Sequence, residues 1–411
     1  MTVDAATACA TQDAERSLEI DLLLILGAFA AIFGALLVPI GAGRLPYSPD
    51  SAYGLFLVLI AFQTLAIGKS PFGDVRRSWA LVGVGLIAAA LGIVACFIPG
   101  LVAEAARIGV GALLSAGGLS LLMQLAFDAT KARRWLTGPP VLKSLALTCA
   151  TVYGLGVVVG VITLLPGRVA VGASALAAIA FGASLFALAG LLHKVQRRYP
   201  APPATPGAAS RFVLLRDARL PPSEAILILL GLSLALLGFF LFPVDLGLLP
   251  FSPDGQLGLL LTLMAIQAMA LGETPLGRLT RPAWMLAIGL LFAAAGIVSA
   301  IVPGLLTDAM RLLLAVLNVG GGARGLSSTF RSTREPRSAD PPAPFRPILR
   351  ALGSTQTILN ALSLMFGVSM LIPGLIPGFL IAVILIGNGA MLIRLAKIIH
   401  QLAALDPKGA R

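Results

Sequence analysis

The chain has 411 residues, of which 58% are hydrophobic and 12% are charged, and its mean hydropathy is +0.95. Soluble domains carry about 25% charged residues, so this composition excludes an ordinary soluble domain. The apolar runs 22–40, 78–97 and 225–242 approach the ~20 residues that cross a ~30 Å hydrocarbon core. They are continuous, unlike the alternating strands of a β-barrel. The sequence therefore predicts an all-α integral membrane protein in contact with a lipid bilayer, and the net charge of +12 predicts membrane orientation rather than nucleic-acid binding.

In chain order, a polar N-terminal tail (1–20) precedes two segments of six predicted helices each. The tail has no basic start and no cleavage site, so we predict no signal peptide. A Pro-rich basic linker (193–222) separates the six-helix segments 21–192 and 223–400, and a tail (401–411) follows. The predicted helices of the first segment are 21–41, 52–68, 78–98, 101–126, 143–165 and 168–192. Those of the second are 224–243, 255–272, 283–302, 305–322, 348–372 and 375–400, with a loop at 323–347.

The two segments repeat each other. The hexapeptide LPYSPD (45–50) returns as LPFSPD (249–254), 204 positions later, and GIVACFIPGL (92–101) returns as GIVSAIVPGL (296–305) at the same offset. The third pair of helices is more diverged, with LLPG ending at Gly167 and LIPG ending at Gly374. An even number of helices in each half gives both halves the same orientation. We therefore predict a 6+6 parallel internal duplication with about twelve transmembrane helices.

The distribution of basic residues predicts the orientation. Of the 30 lysines and arginines, 26 fall in the tails and in the connections on one side, and only Arg44 and Arg168 fall on the other. Because basic loops stay in the cytoplasm, both termini are predicted to be cytoplasmic. The opposite side carries four Pro-Gly pairs that predict tight turns between antiparallel helices, so each half consists of three hairpins. These pairs begin at Pro99, Pro166, Pro303 and Pro373.

The repeated SPD tripeptide predicts the start of the second helix in each half. Serine is a good N-cap, proline suits the first helical position and aspartate complements the positive helix end. The residues concerned are Ser48, Pro49, Asp50, Ser252, Pro253 and Asp254. A binding role for Asp50 and Asp254 on the outer face is the alternative.

The hairpin GIVACFIPGLVAEAARIGVGALLSAGGLSLL (92–122), with its Pro-Gly turn and spaced glycines, resembles the hairpin unit of HdeD-type bacterial inner-membrane proteins. The resemblance covers most of both halves, so the chain is similar to two such six-helix units in tandem. It implies a multi-pass protein of the bacterial inner membrane that is linked to acid stress. It implies no catalytic residues.

An acid-x-x-Arg pair occurs at the same place in both halves. Glu104 and Arg107 correspond to Asp308 and Arg311, and both pairs lie just beyond an outer Pro-Gly turn. Residues at i and i+3 are neighbours on a helix, and charges at this depth usually face a cavity or a partner. The pairs are the foremost candidates for intramembrane function. The alternative is that each arginine extends toward the interface and only anchors the hairpin.

Two further equivalent pairs of polar residues are candidates. Gln63 and Gln267 lie in the second helix of each half, where a glutamine usually bonds to another helix and could also contact a substrate. His193 and His400 end the last helix of each half and are candidate pH-responsive groups, or else interfacial residues favoured by the helix end. The glycines that we expect to permit close helix packing are Gly109, Gly111, Gly117, Gly118 and the run Gly320–Gly322.

The sequence contains no pattern typical of catalysis. Cys9, Cys96 and Cys149 are scattered, and no Ser/His/Asp set, metal cluster or nucleotide-binding loop occurs. We predict no enzyme, cofactor or metal. The favoured hypothesis is a stress-associated or assembly subunit that packs against other membrane proteins. The alternative is a secondary transporter whose two halves enclose a central site formed by Gln63, Gln267 and the acid–Arg pairs.

Overall fold

The computed structural model describes seven stretches of the chain: 18–66, 79–127, 139–198, 222–270, 283–334, 346–372 and 374–405. Outside these stretches lie residues 1–17 of the predicted N-terminal tail and 406–411 of the predicted C-terminal tail, 199–221 of the linker, 335–345 of the predicted loop 323–347, and Pro373. Within them the protein has twelve helices and no strand, which confirms the all-α prediction.

The first six helices are α1 (Leu18–Gly41), α2 (Pro49–Ala66), α3 (Trp79–Phe97), α4 (Ala103–Phe127), α5 (Pro140–Leu164) and α6 (Val171–Arg198). The other six are α7 (Pro222–Asp245), α8 (Pro253–Ala270), α9 (Ala283–Ile301), α10 (Thr307–Arg334), α11 (Arg346–Leu371) and α12 (Gly378–Leu405).

Six helices contain segments long and apolar enough to cross a membrane, and α3 and α9 contain shorter apolar segments. The six segments are Glu19–Gly41, Ala103–Phe127, Pro140–Leu164, Val171–Arg198, Leu227–Asp245 and Gly378–Leu402. Their length and composition confirm that the chain is a helical membrane protein.

The outer turns have the predicted backbone geometry. Gly100, Gly167, Gly304 and Gly374 all have φ between 75° and 84°, a conformation in which a residue with a side chain is strained. The caps that end helices α1 and α7 were not predicted. There Gly43 and Gly247 adopt φ of 70° and 71°, and the following residues bond back to the carbonyls of Pro39 and Pro243, as in a Schellman cap.

The predicted end of α10 at residue 322 is wrong by twelve residues. The three glycines and the polar residues after them suggested a loop, but α10 continues to Arg334. Gly322 packs against the backbone of α11, with its β-carbon position 2.7 Å from the Asn360 carbonyl oxygen, so close packing of the two helices outweighs the poor helix propensity of glycine. The start of the predicted 323–347 loop is therefore helical.

Closely packed helix pairs form the architecture. In the first half α1 packs along α6, α2 on α3 and α4 on α5, and in the second half α7 packs along α12, α8 on α9 and α10 on α11. Small residues allow these approaches, as where Gly54 of α2 faces the Gly92 carbonyl oxygen of α3. Of the predicted packing glycines, Gly111, Gly118 and Gly322 lie against another helix, whereas Gly117, Gly320 and Gly321 face open space.

The two halves meet at a central seam formed by α2, α3, α8 and α9, with α1 and α7 at its flanks. Each contact across the seam has a counterpart: α1 touches α9 as α7 touches α3, and α2 touches α9 as α8 touches α3. Residues that meet across the seam are fully buried, among them Cys96, Phe97 and Ile301. The molecule is therefore densely packed along its middle.

Candidate functional site

Arg107 lies in the second turn of α4 and bonds to two partners. Its Nε donates to the Glu104 Oε2 atom over 3.0 Å, and its Nη2 pairs with Oε1 of the same carboxylate. Its Nη1 donates to the Thr163 carbonyl oxygen of α5 over 2.6 Å. The Arg107 side chain is only 15% exposed, while Glu104 points outward. The guanidinium therefore joins α4 to the neighbouring helix.

The Thr163 carbonyl needs such a donor because it lies in the last turn of α5. Carbonyls there have no intrahelical N–H partner, and the chain turns away at Pro166 and Gly167. A cation at a helix C-terminus also interacts favourably with the helix dipole. Arg107 thus caps α5 from outside, which supports the anchoring alternative for this pair.

The second acid–Arg pair is looser. Arg311 Nη2 lies 3.5 Å from the Asp308 carboxylate, and the Arg311 side chain is 48% exposed. Within the described stretches Arg311 has no hydrogen bond to α11 that would match the Arg107–Thr163 bond. The same sequence pattern therefore produces a capping contact in one half and a surface ion pair in the other.

A small cavity lies beneath Arg107 in the first half. Its volume is about 20 Å³, which is about enough for one water molecule, and its lining is almost entirely apolar. Aromatic rings surround it, and Phe29 and Phe56 stack with their centroids 4.6 Å apart. Thr163 and Val110 link the cavity to the Arg107 cap. Few polar groups line it, and the Thr163 hydroxyl already donates to the Val159 carbonyl oxygen of its own helix, so the cavity is expected to stay dry.

The transporter hypothesis placed Gln63, Gln267 and the acid–Arg pairs at one site, but the helices hold them at different depths. Gln63 comes fourteen residues after Pro49, about 21 Å from the outer end of α2, whereas Arg107 lies four residues, about 6 Å, into α4. Both glutamines are partly buried, and neither lines the cavity. The interhelical bond expected of an intramembrane amide is instead seen at Asn318, whose Oδ1 accepts from Ser363 of α11 over 2.8 Å.

The SPD residues start α2 and α8 as predicted, with Pro49 and Pro253 as the first helical residues. Ser252 Oγ accepts a bond from the Gly255 N–H at 3.2 Å, which is an N-cap. Asp50 accepts from the Gly100 N–H at 2.7 Å, and Asp254 accepts from the Thr307 hydroxyl. Both aspartates therefore tie the second helix of a half to the turn between its third and fourth helices.

The SPD serines also bond across the seam, which sequence inspection missed. The Ser48 N–H donates to the Ile301 carbonyl oxygen at the end of α9 over 3.0 Å, and the Ser252 N–H donates to the Phe97 carbonyl oxygen at the end of α3 over 3.1 Å. Each half thus satisfies a terminal helix carbonyl of the other half. The Phe97 and Phe251 rings pack edge to face beside this contact, with centroids 5.1 Å apart.

His400 pairs with an acid that the sequence analysis did not select. Its Nδ1 lies 3.2 and 3.3 Å from the carboxylate oxygens of Glu224, which begins α7 before the apolar segment Leu227–Asp245. Glu224 is 4% exposed and His400 is 64% exposed. Burial raises the pKa of Glu224 above its usual 4.5, and His400 partly opposes this shift. Comparison of the repeats offers a signal for Glu224, because Asp21 is also an acid near the start of α1 and His193 lies in the last two turns of α6.

Within the described stretches, no three His, Cys, Asp or Glu side chains gather as a metal site would require. Comparisons with protein families, with curated proteins and with solved structures found no match to the chain. Function must therefore be argued from the chain itself.

Proposed function

We propose that the chain is a non-enzymatic, stress-associated membrane protein that serves as a scaffold or assembly subunit for other membrane proteins. It consists of two parallel six-helix halves, each similar to an HdeD-type unit, and it resides in a bacterial inner membrane with both termini in the cytoplasm. The single observation that carries the proposal is the central seam.

The seam favours a rigid unit. Reciprocal backbone bonds from Ser48 to Ile301 and from Ser252 to Phe97 join the halves, and Gly255 lies so close to α3 that a β-carbon there would overlap the Cys96 carbonyl oxygen. A transporter that rocks two halves about a central site needs an interface that can open. Here that interface is filled with buried side chains. A packed unit of this kind suits a protein that presents fixed helix surfaces to partners.

The proposal of twelve spans in two equivalent halves rests on the helix pairing. The pairs α1–α6, α2–α3 and α4–α5 correspond to α7–α12, α8–α9 and α10–α11, and the contacts across the seam are symmetric. Helices α2 and α8 contain none of the six long apolar segments, and both lie in the centre, where other helices shield them from lipid. Helices in such positions can span a membrane without being strongly apolar on every side.

Secondary transport remains the alternative function. The observation that favours it is the cavity beside Arg107, which lies within the first half rather than between the halves. A transporter of this kind would need that cavity to enlarge and to reach both membrane faces.

Affinity purification of the tagged full-length chain from its own membranes, in a mild detergent and with quantitative mass spectrometry, tests the proposal. We expect a membrane protein in stoichiometric amount. A solitary chain, together with solute flux in proteoliposomes, would overturn the scaffold function.

A locking experiment sharpens this test. A variant carrying Phe97→Cys and Phe251→Cys is cross-linked across the seam with a thiol reagent, and each single variant serves as its control. A scaffold should recover its partner equally well with and without the cross-link. A rocking transporter should lose flux when it is locked.

A further inference from the structure

The exposed faces of α4 and α10 differ although the two helices occupy equivalent places. At the offset of 204, Leu119, Met123 and Phe127 of α4 correspond to Ala323, Ser327 and Arg331 of α10, in that order. All six residues are exposed, and Phe127 reaches 78%. These three exposed α4 residues are therefore apolar, as contact with lipid chains requires, although Ser120 and Gln124 beside them are also exposed. The equivalent α10 face is small and polar.

In the proposed twelve-span arrangement, the polar residues of α10 lie at the depth of the lipid headgroups. Arg324 is seventeen residues from the first residue of α10 and Arg331 is twenty-four, which places them about 26 Å and 36 Å along the helix axis. The hydrocarbon core is about 30 Å thick, so Arg324 approaches its boundary and Arg331 lies beyond it. This boundary is on the side that carries the basic connections.

Four residues form what we call the α10 basic face: Arg324, Ser327, Ser328 and Arg331. Their spacing of three, one and three residues keeps them within one side of the helix. This side points away from α11, because the residues that meet α11 are Gly322 and Gly325. The exposed side of α10 is thus open to whatever surrounds the protein.

No described acidic residue neutralises the charge of this face. Neither Arg324 nor Arg331 forms an ion pair with any other residue that the structure describes. The serine hydroxyls are satisfied within the helix, since Ser327 donates to the Arg324 carbonyl and Ser328 to the Gly325 carbonyl, both at 2.8 Å. They remain exposed and can rotate toward an incoming acceptor.

We infer that the α10 basic face binds the phosphate group of an anionic phospholipid. Arginine is suited to phosphate because its planar guanidinium donates two parallel hydrogen bonds, and neighbouring hydroxyls supply further donors. The depth of the face matches the plane of the headgroups. A second copy of the chain fits less well, because two such faces would bring like charges together. The inference rests on the proposed arrangement in which α10 crosses the bilayer, but it does not rest on the scaffold function.

Native mass spectrometry of the purified full-length chain tests it. Phosphatidylglycerol and phosphatidylcholine with identical acyl chains are added in a neutral detergent, and the apparent affinity for each lipid is measured. The test variant is Arg324→Gln with Arg331→Gln. The control variant is Lys143→Gln with Lys194→Gln, which removes the same charge from exposed positions on the same side.

Each basic residue near an anionic headgroup contributes about fivefold in affinity, so we expect the test variant to lose about 30-fold in phosphatidylglycerol binding. The control variant should retain most of the binding, and phosphatidylcholine binding should change little in either. Equal losses in both variants would show only diffuse charge attraction and would overturn the inference. Full competition by inorganic phosphate would indicate a soluble ligand and would also overturn the inference. An acidic protein that occupies the face in the purified material would overturn it as well.

A variant that gains the basic face provides a second test, in which lipid binding should increase rather than decrease. Ser120→Arg, Met123→Ser, Gln124→Ser and Phe127→Arg copy the α10 basic face onto α4, where all four positions are exposed. We expect a second phosphatidylglycerol to bind to this variant. An unchanged stoichiometry in a correctly folded variant would contradict the inference.

Discussion

The two halves of the molecule place the same acid-x-x-Arg pattern in different settings. Arg107 is 15% exposed and caps α5 through the Thr163 carbonyl, whereas Arg311 is 48% exposed and pairs loosely with Asp308. The cavity lined by aromatic rings also belongs to the first half. At the seam, by contrast, the halves use matching bonds from Ser48 and Ser252. The comparison teaches that the backbone hydrogen bonds joining the halves are duplicated, while the side-chain contacts around them have diverged.

The largest effect is expected at Gly255, a seam residue whose counterpart in the other half is not a glycine. Its counterpart in the first half is Ser51, a buried residue with a side chain, but a β-carbon on Gly255 would overlap the Cys96 carbonyl oxygen. Gly255→Ala should reduce the free energy of unfolding by about 3 kcal/mol, and Gly255→Leu should abolish folded protein, because neither backbone can move away easily. Thermal unfolding in detergent measures this. Gly117→Ala is the control, since Gly117 faces open space; equal losses in both variants would contradict the close approach.

The next largest loss of stability is expected at the acid–Arg pair of the first half. Arg107→Ala leaves the Thr163 carbonyl without its donor and should cost about 1.5–3 kcal/mol, the usual range for a hydrogen bond to a charged group. Arg311→Ala removes an exposed ion pair and should cost less than about 1 kcal/mol. Thermal stability and membrane abundance of the two variants measure the difference.

These arginine variants also address function. Equal stability of the two variants would remove the capping role of Arg107. Normal abundance combined with loss of a measured solute flux would indicate instead that both acid–Arg pairs act in transport.

A smaller effect is expected at the aromatic stack in the first half. Phe56 stacks on Phe29, and its counterpart in the second half is Leu260. Phe56→Leu makes the first half resemble the second and should cost about 1 kcal/mol, the contribution of a typical aromatic pair. The unfolding midpoint of this variant is compared with that of Leu260→Phe. The second variant should also lower the stability of the protein, because Leu260 is buried and a larger side chain would overpack its surroundings. No change in the first variant would mean that the stack contributes little.

The smallest expected effect depends on pH and concerns Glu224. Because burial raises its pKa in the folded state, the protonated carboxyl is favoured by folding. The resulting stability is fully present below the unfolded pKa of about 4.5 and is lost as the pH rises through the folded pKa. Relative to Glu224→Gln, the unchanged protein should therefore become less stable as the pH rises above 4.5.

Melting temperatures of both proteins across this range measure the difference. Since His400 lowers the pKa of Glu224, His400→Ala should move the transition to higher pH. A difference between the proteins that does not vary with pH would show that Glu224 does not titrate in this way.

Much of the architecture was predictable because it follows from local rules. Apolar runs gave the helices, Pro-Gly pairs gave the outer turns, and serine followed by proline gave the starts of α2 and α8. The end of α10 was missed because Gly320–Gly322 is a poor helical sequence, and only contact with α11 shows why the helix continues.

The candidate site was predictable only in part. Glu104 and Arg107 were found from their repetition in the second half, and their mutual bond follows from the spacing of three residues. The Thr163 carbonyl could not be found, because every residue has a carbonyl and only packing decides which one meets a guanidinium. Glu224 was missed although its partner His400 was selected, since a pairing over 176 positions leaves no local pattern and only the acid Asp21 at the equivalent place in the first half points to it.

The sequence by itself determined that this chain lives in a membrane, that it is helical and that its motifs occur twice, because composition and spacing act along the chain. Only the tertiary structure decided that the SPD serines cap helices of the opposite half, and that Arg107 caps α5 while Arg311 remains exposed. These contacts depend on which helices lie side by side, and the order of residues along the chain does not specify that arrangement.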